Sequence, residues 1–178
     1  MVATPIKLSL KEFLAADYIE ESPAWEYLNN GAVQKPIPKF RHSISQKRLL
    51  AALVAAEPDY LALPELRCTF GDRSVVPDIS VIAFEKIQFD EFGEPEENFL
   101  LAPDWAIEIL SPSQNMSRVV DNLLYCLRHG TQLGWLIDPG DRSILVFRPQ
   151  QEPQIFRGDE LLPTLPTIKV TFTARSIF

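Results

Sequence analysis

The sequence predicts a mixed α/β (α+β) fold, a mixed β-sheet with helices packed on it. Three observations carry that prediction. β-Branched runs are bounded by turn residues, amphipathic segments of helical period lie between them, and the order along the chain is helix, strands, helix, strands, helix, strands. The 178 residues match the rough prior of about 100–200 per domain, so 1–178 is read as a single domain.

Ser9-Leu10-Lys11-Glu12 is a capping-box pattern and opens a short helix that stops before Pro23. Trp25 to Leu28, Asn29-Asn30-Gly31, then Ala32 to Gln34 reads as a β-hairpin, because Asn-Gly supplies the positive φ of a tight turn. Ser43-Ile44-Ser45-Gln46 is a second capping box, starting a helix through Leu49, Leu50, Leu53 and Val54 that ends near Pro58. Leu63–Phe70 and Ser74–Phe84 flank Gly71-Asp72-Arg73 as a second hairpin. Trp105–Leu110 is a further strand. The next helix carries Met116, Val119, Val120, Leu123, Leu124 and Leu127 on one face, with Gly130 where a C-terminal cap belongs. Gly134–Ile137, the turn at Pro139-Gly140-Asp141-Arg142, Ser143–Phe147 and a last strand near Ile168–Phe172 complete the order.

Composition narrows the class. Hydrophobic residues are 46% and charged residues 23%, in the globular range. No segment approaches the ~18 apolar residues of a membrane span and the N-terminus lacks a signal-peptide core, so a soluble cytoplasmic protein is expected. Cys68 and Cys126 sit in apolar periodic segments and read as reduced core thiols; two Cys alone cannot make a thiolate zinc site. P-loop, dinucleotide and zinc-finger spacings are absent. Net charge is −7, which disfavours a protein that coats nucleic acid. The charge is unevenly placed, however. Lys35, Lys39, Arg41, Lys47 and Arg48 form a stretch without an acid, whereas six acids and one base lie between Glu85 and Glu97. A basic sector and an acidic loop are expected.

Two carboxylates stand out. Asp78 follows Pro77 among Val75, Val76, Ile79 and Val81, and Glu108 stands alone in Trp-Ala-Ile-Glu-Ile-Leu. A charge in a central strand costs several kcal/mol unless it is paired or bound to a metal. Two such acids on one sheet make a hard-metal site, of the kind Mg²⁺ completes with water and substrate phosphates. The alternative is that each acid faces solvent or pairs with Arg67 or Arg73. Glu26, in the first hairpin, and Glu65 are further candidates. Glu65 reaches Asp78 if it pairs across the Gly71 turn, and otherwise both acids are exposed or ion-paired.

Val-Val-Pro-Asp-Ile-Ser-Val, Ala-Ile-Glu-Ile-Leu-Ser-Pro-Ser and Gly-Trp-Leu-Ile-Asp-Pro together resemble the Uma-type putative restriction endonuclease family, formerly a domain of unknown function, of the PD-(D/E)XK nuclease superfamily. Trp25 to Gly31 is similar to the family's early hairpin, Arg41-His42 to its helix-opening histidine, and Leu161 to Leu165 to its late segment. The resemblance implies a restriction-endonuclease-like fold, a mixed central sheet flanked by helices. It implies Asp78 and Glu108 as catalytic metal ligands with the carbonyl of Ile109 beside them and the accessory acid Glu65 joining the metal set, and Glu26 and His42 as further accessory groups. The implied cofactor is Mg²⁺ or Mn²⁺, the substrate DNA, and the reaction phosphodiester hydrolysis. Lys35, Lys39, Arg41 and Lys47 would then face nucleic acid. A homodimer is expected, with Trp135 and the third helix as contributors.

One position departs from the superfamily pattern. Its lysine stands two residues after the glutamate, where this chain has Leu110, and the following helix holds no lysine. Arg118 near that helix's start is the cation carried forward; its guanidinium stays protonated and cannot act as a base. Arg118, Asn122, Tyr125 and His129 otherwise read as a solvated stripe. Lys35 or Lys47 could supply the cation from elsewhere in the chain. Three functions stand side by side: a metal-dependent endonuclease, a catalytically lapsed nuclease fold that binds nucleic acid or a protein partner, and a scaffold whose carboxylates serve structure.

Overall fold

The computed structural model describes residues 8–112 and 114–178; Ser113, the last residue of the Ser-Pro-Ser block, lies outside them. The elements in chain order are α1 (Leu10–Leu14), β1 (Trp25–Leu28), β2 (Gly31–Gln34), α2 (Phe40–Leu53), β3 (Tyr60–Pro64), β4 (Cys68–Phe70), β5 (Arg73–Val75), β6 (Ile79–Ala83), β7 (Trp105–Ile109), α3 (Met116–Arg128), β8 (Leu133–Asp138), β9 (Ser143–Phe147), β10 (Gln154–Arg157), β11 (Leu161–Leu162), β12 (Phe172–Thr173) and α4 (Ala174–Ile177). Six strands form the central sheet in the order β10-β9-β8-β7-β6-β3; four form a smaller one, β2-β1-β5-β4. Only the β7–β8 pair of the central sheet is parallel, and α3 is the crossover such a pair requires.

Alternation along β7 sorts the core. Trp105, Ile107 and Ile109 join Leu49 and Leu53 of α2 and the C-terminal Leu165, Ile168 and Phe172 in one apolar cluster. Ala106, on the opposite face, packs with Val119 and Leu123 of α3, and Glu108 shares that parity. Tyr125 and Cys126 of α3 also pack with Phe70 and Val75 of the small sheet. Helix α3 is thus wedged between the two sheets.

Several sequence expectations need correction. The segment 74–84 is not one strand. Pro77 lacks an N–H for a ladder, and the chain breaks there into β5 of the small sheet and β6 of the central one. Asp78 therefore stands at the junction, just before β6. The segment 63–70 divides likewise, and Glu65 lies between β3 and β4. It approaches Asp78 through the β3–β6 ladder, its N–H donating to the Asp78 carbonyl at 3.3 Å, and not across the Gly71 turn. Helix α2 begins at Phe40, after Pro36-Ile37-Pro38, with no side-chain cap at Lys39; Ser43 is inside it. The last strand covers only Phe172–Thr173.

The first hairpin has its expected register, but Asn29 and Asn30 take the positive φ angles and Gly31 already belongs to β2. The α1 capping box is present, as is α3 with Gly130 at φ +108°. Trp135 is wholly buried, so it cannot contribute to a subunit contact. Among the described residues no helix is long and apolar enough to cross a membrane. Both cysteines are free and buried, and burial pushes the Cys68 thiol up to about 12.

Candidate active site

The strand break is where the polar groups gather. Breaking the ladder at Val76-Pro77-Asp78 leaves backbone groups that need partners, and site side chains supply them. The Val76 N–H donates to Glu26 Oε1 at 2.9 Å, and the Val76 carbonyl accepts from Lys35 Nζ at 2.7 Å. The Asp78 carbonyl accepts from Gln46 Nε2 at 2.7 Å, in addition to the Glu65 N–H. Glu26 is carried by β1, Lys35 follows β2, and Gln46 comes from α2, so three elements close on one break.

The carboxylates converge on Lys35. Its ammonium lies 2.8 Å from Asp78 Oδ1 and 3.2 Å from Glu108 Oε2, with 11% of its side chain exposed. The sequence offered Lys35 as a DNA-facing residue or as a stand-in cation; the structure places it against the acids. Asp78 Oδ2 accepts the Ile109 N–H at 2.7 Å, fixing β7 against the start of β6. His42 Nε2 stands 3.6 Å from Asp78 Oδ1. Glu108 Oε1 accepts no hydrogen bond among the described residues.

One ammonium faces three buried carboxylates. Burial works against the Lys35 charge, but Asp78, Glu108 and Glu26 outweigh it, and Lys35 is held above its ordinary value. Burial raises Glu108 well above the ordinary carboxylate range, with the charges of Asp78 and Glu26 adding to the rise and Lys35 opposing it. Burial raises Glu26 as well. The site is short of positive charge.

That deficit bears on a metal. No cluster of three or more His, Cys, Asp or Glu side chains able to hold an ion occurs among the described residues. An all-protein cage is therefore not what these residues build. They do fit a hard ion that takes two carboxylates and draws its remaining oxygens from water and a phosphate. Asp78, the free oxygen of Glu108 and the Ile109 carbonyl are the groups that would hold it.

The other sequence candidates fall into two groups. Glu65 is exposed, with φ +48°, and lines a narrow recess of about 40 Å³ shared with Lys35, His42 and Asp78. Arg118 is exposed at the start of α3 and makes no ion pair among the described residues. Lys39, Arg41 and Lys47 are exposed along the first turns of α2. The stripe on α3 is not solvated throughout, because Asn122 and Tyr125 are buried. Asn122 Nδ2 reaches Glu26 Oε2 at 3.5 Å, and its Oδ1 accepts from Arg73 at 3.3 Å. Arg73 also donates to Asn29 at 2.7 Å and pairs with Asp121 at 2.8 Å, tying the first hairpin to α3. Sequence reasoning missed Gln46 and Asn122, since an amide on a helix carries no local sign of its partner.

The fold places the protein in a known class. The sequence profile of the Uma2 family, described as putative restriction endonuclease, matches residues 10–175, and the chain belongs to that family. Among solved structures it is similar to a putative nuclease belonging to DUF820 from Anabaena variabilis, at 43% identity and a TM-score of 0.92 over 96% of this chain and 97% of that one. No curated protein is matched by the sequence.

Proposed function

We propose that the protein is a Mg²⁺- or Mn²⁺-dependent DNA endonuclease that hydrolyses phosphodiester bonds at Asp78, Glu108 and Lys35. The observation that carries this reading is the convergence of two buried carboxylates, one on β7 and one at the strand break, on one lysine, in a recess left short of positive charge. Membership of the Uma2 family and the likeness to the Anabaena protein support it.

In the reaction, the oxygen of a water forms a new bond to phosphorus while the bond to the sugar oxygen breaks and that oxygen takes up a proton. A divalent ion bound at Asp78, Glu108 and the Ile109 carbonyl would make that water more acidic and offset phosphate charge. Asp78 is held for this role by the Ile109 N–H and the Asp78 backbone by Gln46. Lys35 stays protonated, so it acts as a charge and a donor and not as a base. It fills the place of the lysine missing at Leu110, reaching the same carboxylates from just after β2. All three donors of its ammonium are engaged, by Val76, Asp78 and Glu108. Serving a phosphate requires it to release at least one of them, which a cation at the carboxylates favours by taking over their charge.

The engaged ammonium also supports a second reading, a lapsed nuclease that binds nucleic acid without cutting it. Incubating plasmid and single-stranded DNA with the wild type and with Glu108→Gln separates the two. Cleavage that needs Mg²⁺ or Mn²⁺ and disappears in the variant is expected. Salt-sensitive DNA binding with no cleavage across metals and pH would leave the lapsed reading.

A further inference from the structure

Beside the site lies a second pocket, of about 440 Å³. It lies between the start of α2, the segment after β7 and the β8–β9 turn, and its size falls in the range of ligand pockets. Phe40, Leu110, Pro112 and Pro139 give it apolar walls, and Lys39 and Arg41 stand at the same helix start. His42 and Ser111 line both this pocket and the catalytic recess, so the two spaces adjoin.

Phe40 is 82% exposed, in the first turn of α2. A phenyl ring held in water, with Lys39 and Arg41 lining the same pocket, forgoes the burial that aromatic side chains normally obtain. It has the form of a stacking platform, a flat apolar face flanked by groups that attract phosphate. His42 is 8% exposed, and its Nδ1 is buried with no hydrogen-bond partner among the described residues. Asp138 offers an acceptor in the same pocket. One of its oxygens takes the Gly140 and Asp141 N–H groups, at 2.8 and 3.2 Å, and the other accepts no hydrogen bond among the described residues. Apolar walls, a few polar groups and a cationic rim are complementary to one kind of occupant, a flat heterocycle attached to an anionic backbone.

Resting on the endonuclease reading above, we propose that this pocket takes an unpaired nucleobase next to the scissile phosphate, stacked on Phe40. In a paired duplex both faces of a base are covered by its neighbours, so the substrate is DNA that is single-stranded or locally opened. Lys39 and Arg41 hold the phosphates on either side of that base, and the adjoining recess receives the phosphate to be cut.

The test is equilibrium binding of a short single-stranded oligodeoxynucleotide carrying 2-aminopurine, compared with the same sequence as a duplex. Ca²⁺ replaces Mg²⁺, since its larger and looser coordination suits binding more than turnover. Wild type, Phe40→Ala and Phe40→Trp are compared; the ring touches no core, so all three are expected to fold. The single strand is expected to bind more tightly than the duplex, with a change in 2-aminopurine emission. Phe40→Ala should weaken it about tenfold, and Phe40→Trp should restore it. Equal binding of single strand and duplex, or binding unchanged by Phe40→Ala, would overturn the proposal. Cleavage assayed in parallel keeps the two readings apart. Phe40-dependent binding without cleavage supports the pocket and removes the hydrolase. Cleavage with binding indifferent to Phe40 removes the pocket and leaves the hydrolase.

Discussion

Strand β7 carries one buried acid near its end and another just before its start, and they are built differently. Asp104 is 1% exposed and fully satisfied. One of its oxygens accepts the Ala83 N–H at 2.8 Å, and the other accepts Lys86 at 2.7 Å and Gln132 at 3.1 Å. Glu108, four positions on, shares a single ammonium with Asp78 and keeps one oxygen free of hydrogen bonds among the described residues. Both stand among apolar residues, so burial alone does not tell them apart. A carboxylate whose oxygens are all engaged locks loops together. One left short of charge is poised for a cation or a substrate.

The comparison is sharpened most by Asp78→Asn. The amide oxygen can still accept the Ile109 N–H, so the fold should survive, while loss of the carboxylate charge should abolish plasmid cleavage. Lys35→Met comes next. It should lower the cleavage rate per folded molecule by about 10²–10³, as removal of one electrostatic donor does elsewhere, and should lower stability too, because the Val76 carbonyl and two buried carboxylates lose their partner. If cleavage is unaffected, the cation of the site is not Lys35. Asp104→Ala should do the opposite. Leaving the Ala83 N–H, Lys86 and Gln132 without their partner should cost about 3 kcal/mol in urea unfolding, with the rate per folded molecule preserved. A large fall in that rate would erase the distinction between the two acids.

The smallest effect is a pH dependence of stability. Glu108 has a folded-state value above its unfolded one, so the folded chain holds that proton more tightly. Its stabilising contribution is present below the ordinary carboxylate range and is lost as pH rises through the folded value. Glu108→Gln has no such loss. Without metal, the melting temperature of the variant relative to wild type should therefore rise with pH. Parallel melting profiles would show that the buried carboxyl is not strained.

How far the sequence reaches follows the same physics. Features set by neighbouring residues could be read directly: the Asn29-Asn30 hairpin, the amphipathic face of α3, and a lone acid in each of two apolar runs. Features set by topology could not. Lys35 and Asp78 are forty-three positions apart, and only the joining of two sheets at Pro77 brings them together. The split at Pro77 was hidden because the residues on both sides favour strands, and the partners of the broken backbone, Glu26, Lys35 and Gln46, come from distant parts of the chain. Asn122 looked solvated because the face of α3 opposite the central sheet is covered by the small sheet, which helical period cannot show.

The most direct test is titration calorimetry of Mn²⁺ into wild type and into Asp78→Ala with Glu108→Ala, each with an oligonucleotide present to supply phosphate oxygens. Wild-type uptake abolished by the double substitution is the expected result, and it would assign the ion to these two carboxylates. Uptake that survives the double substitution, or none by the wild type, would contradict the central claim that this recess is a cation-dependent phosphodiester site.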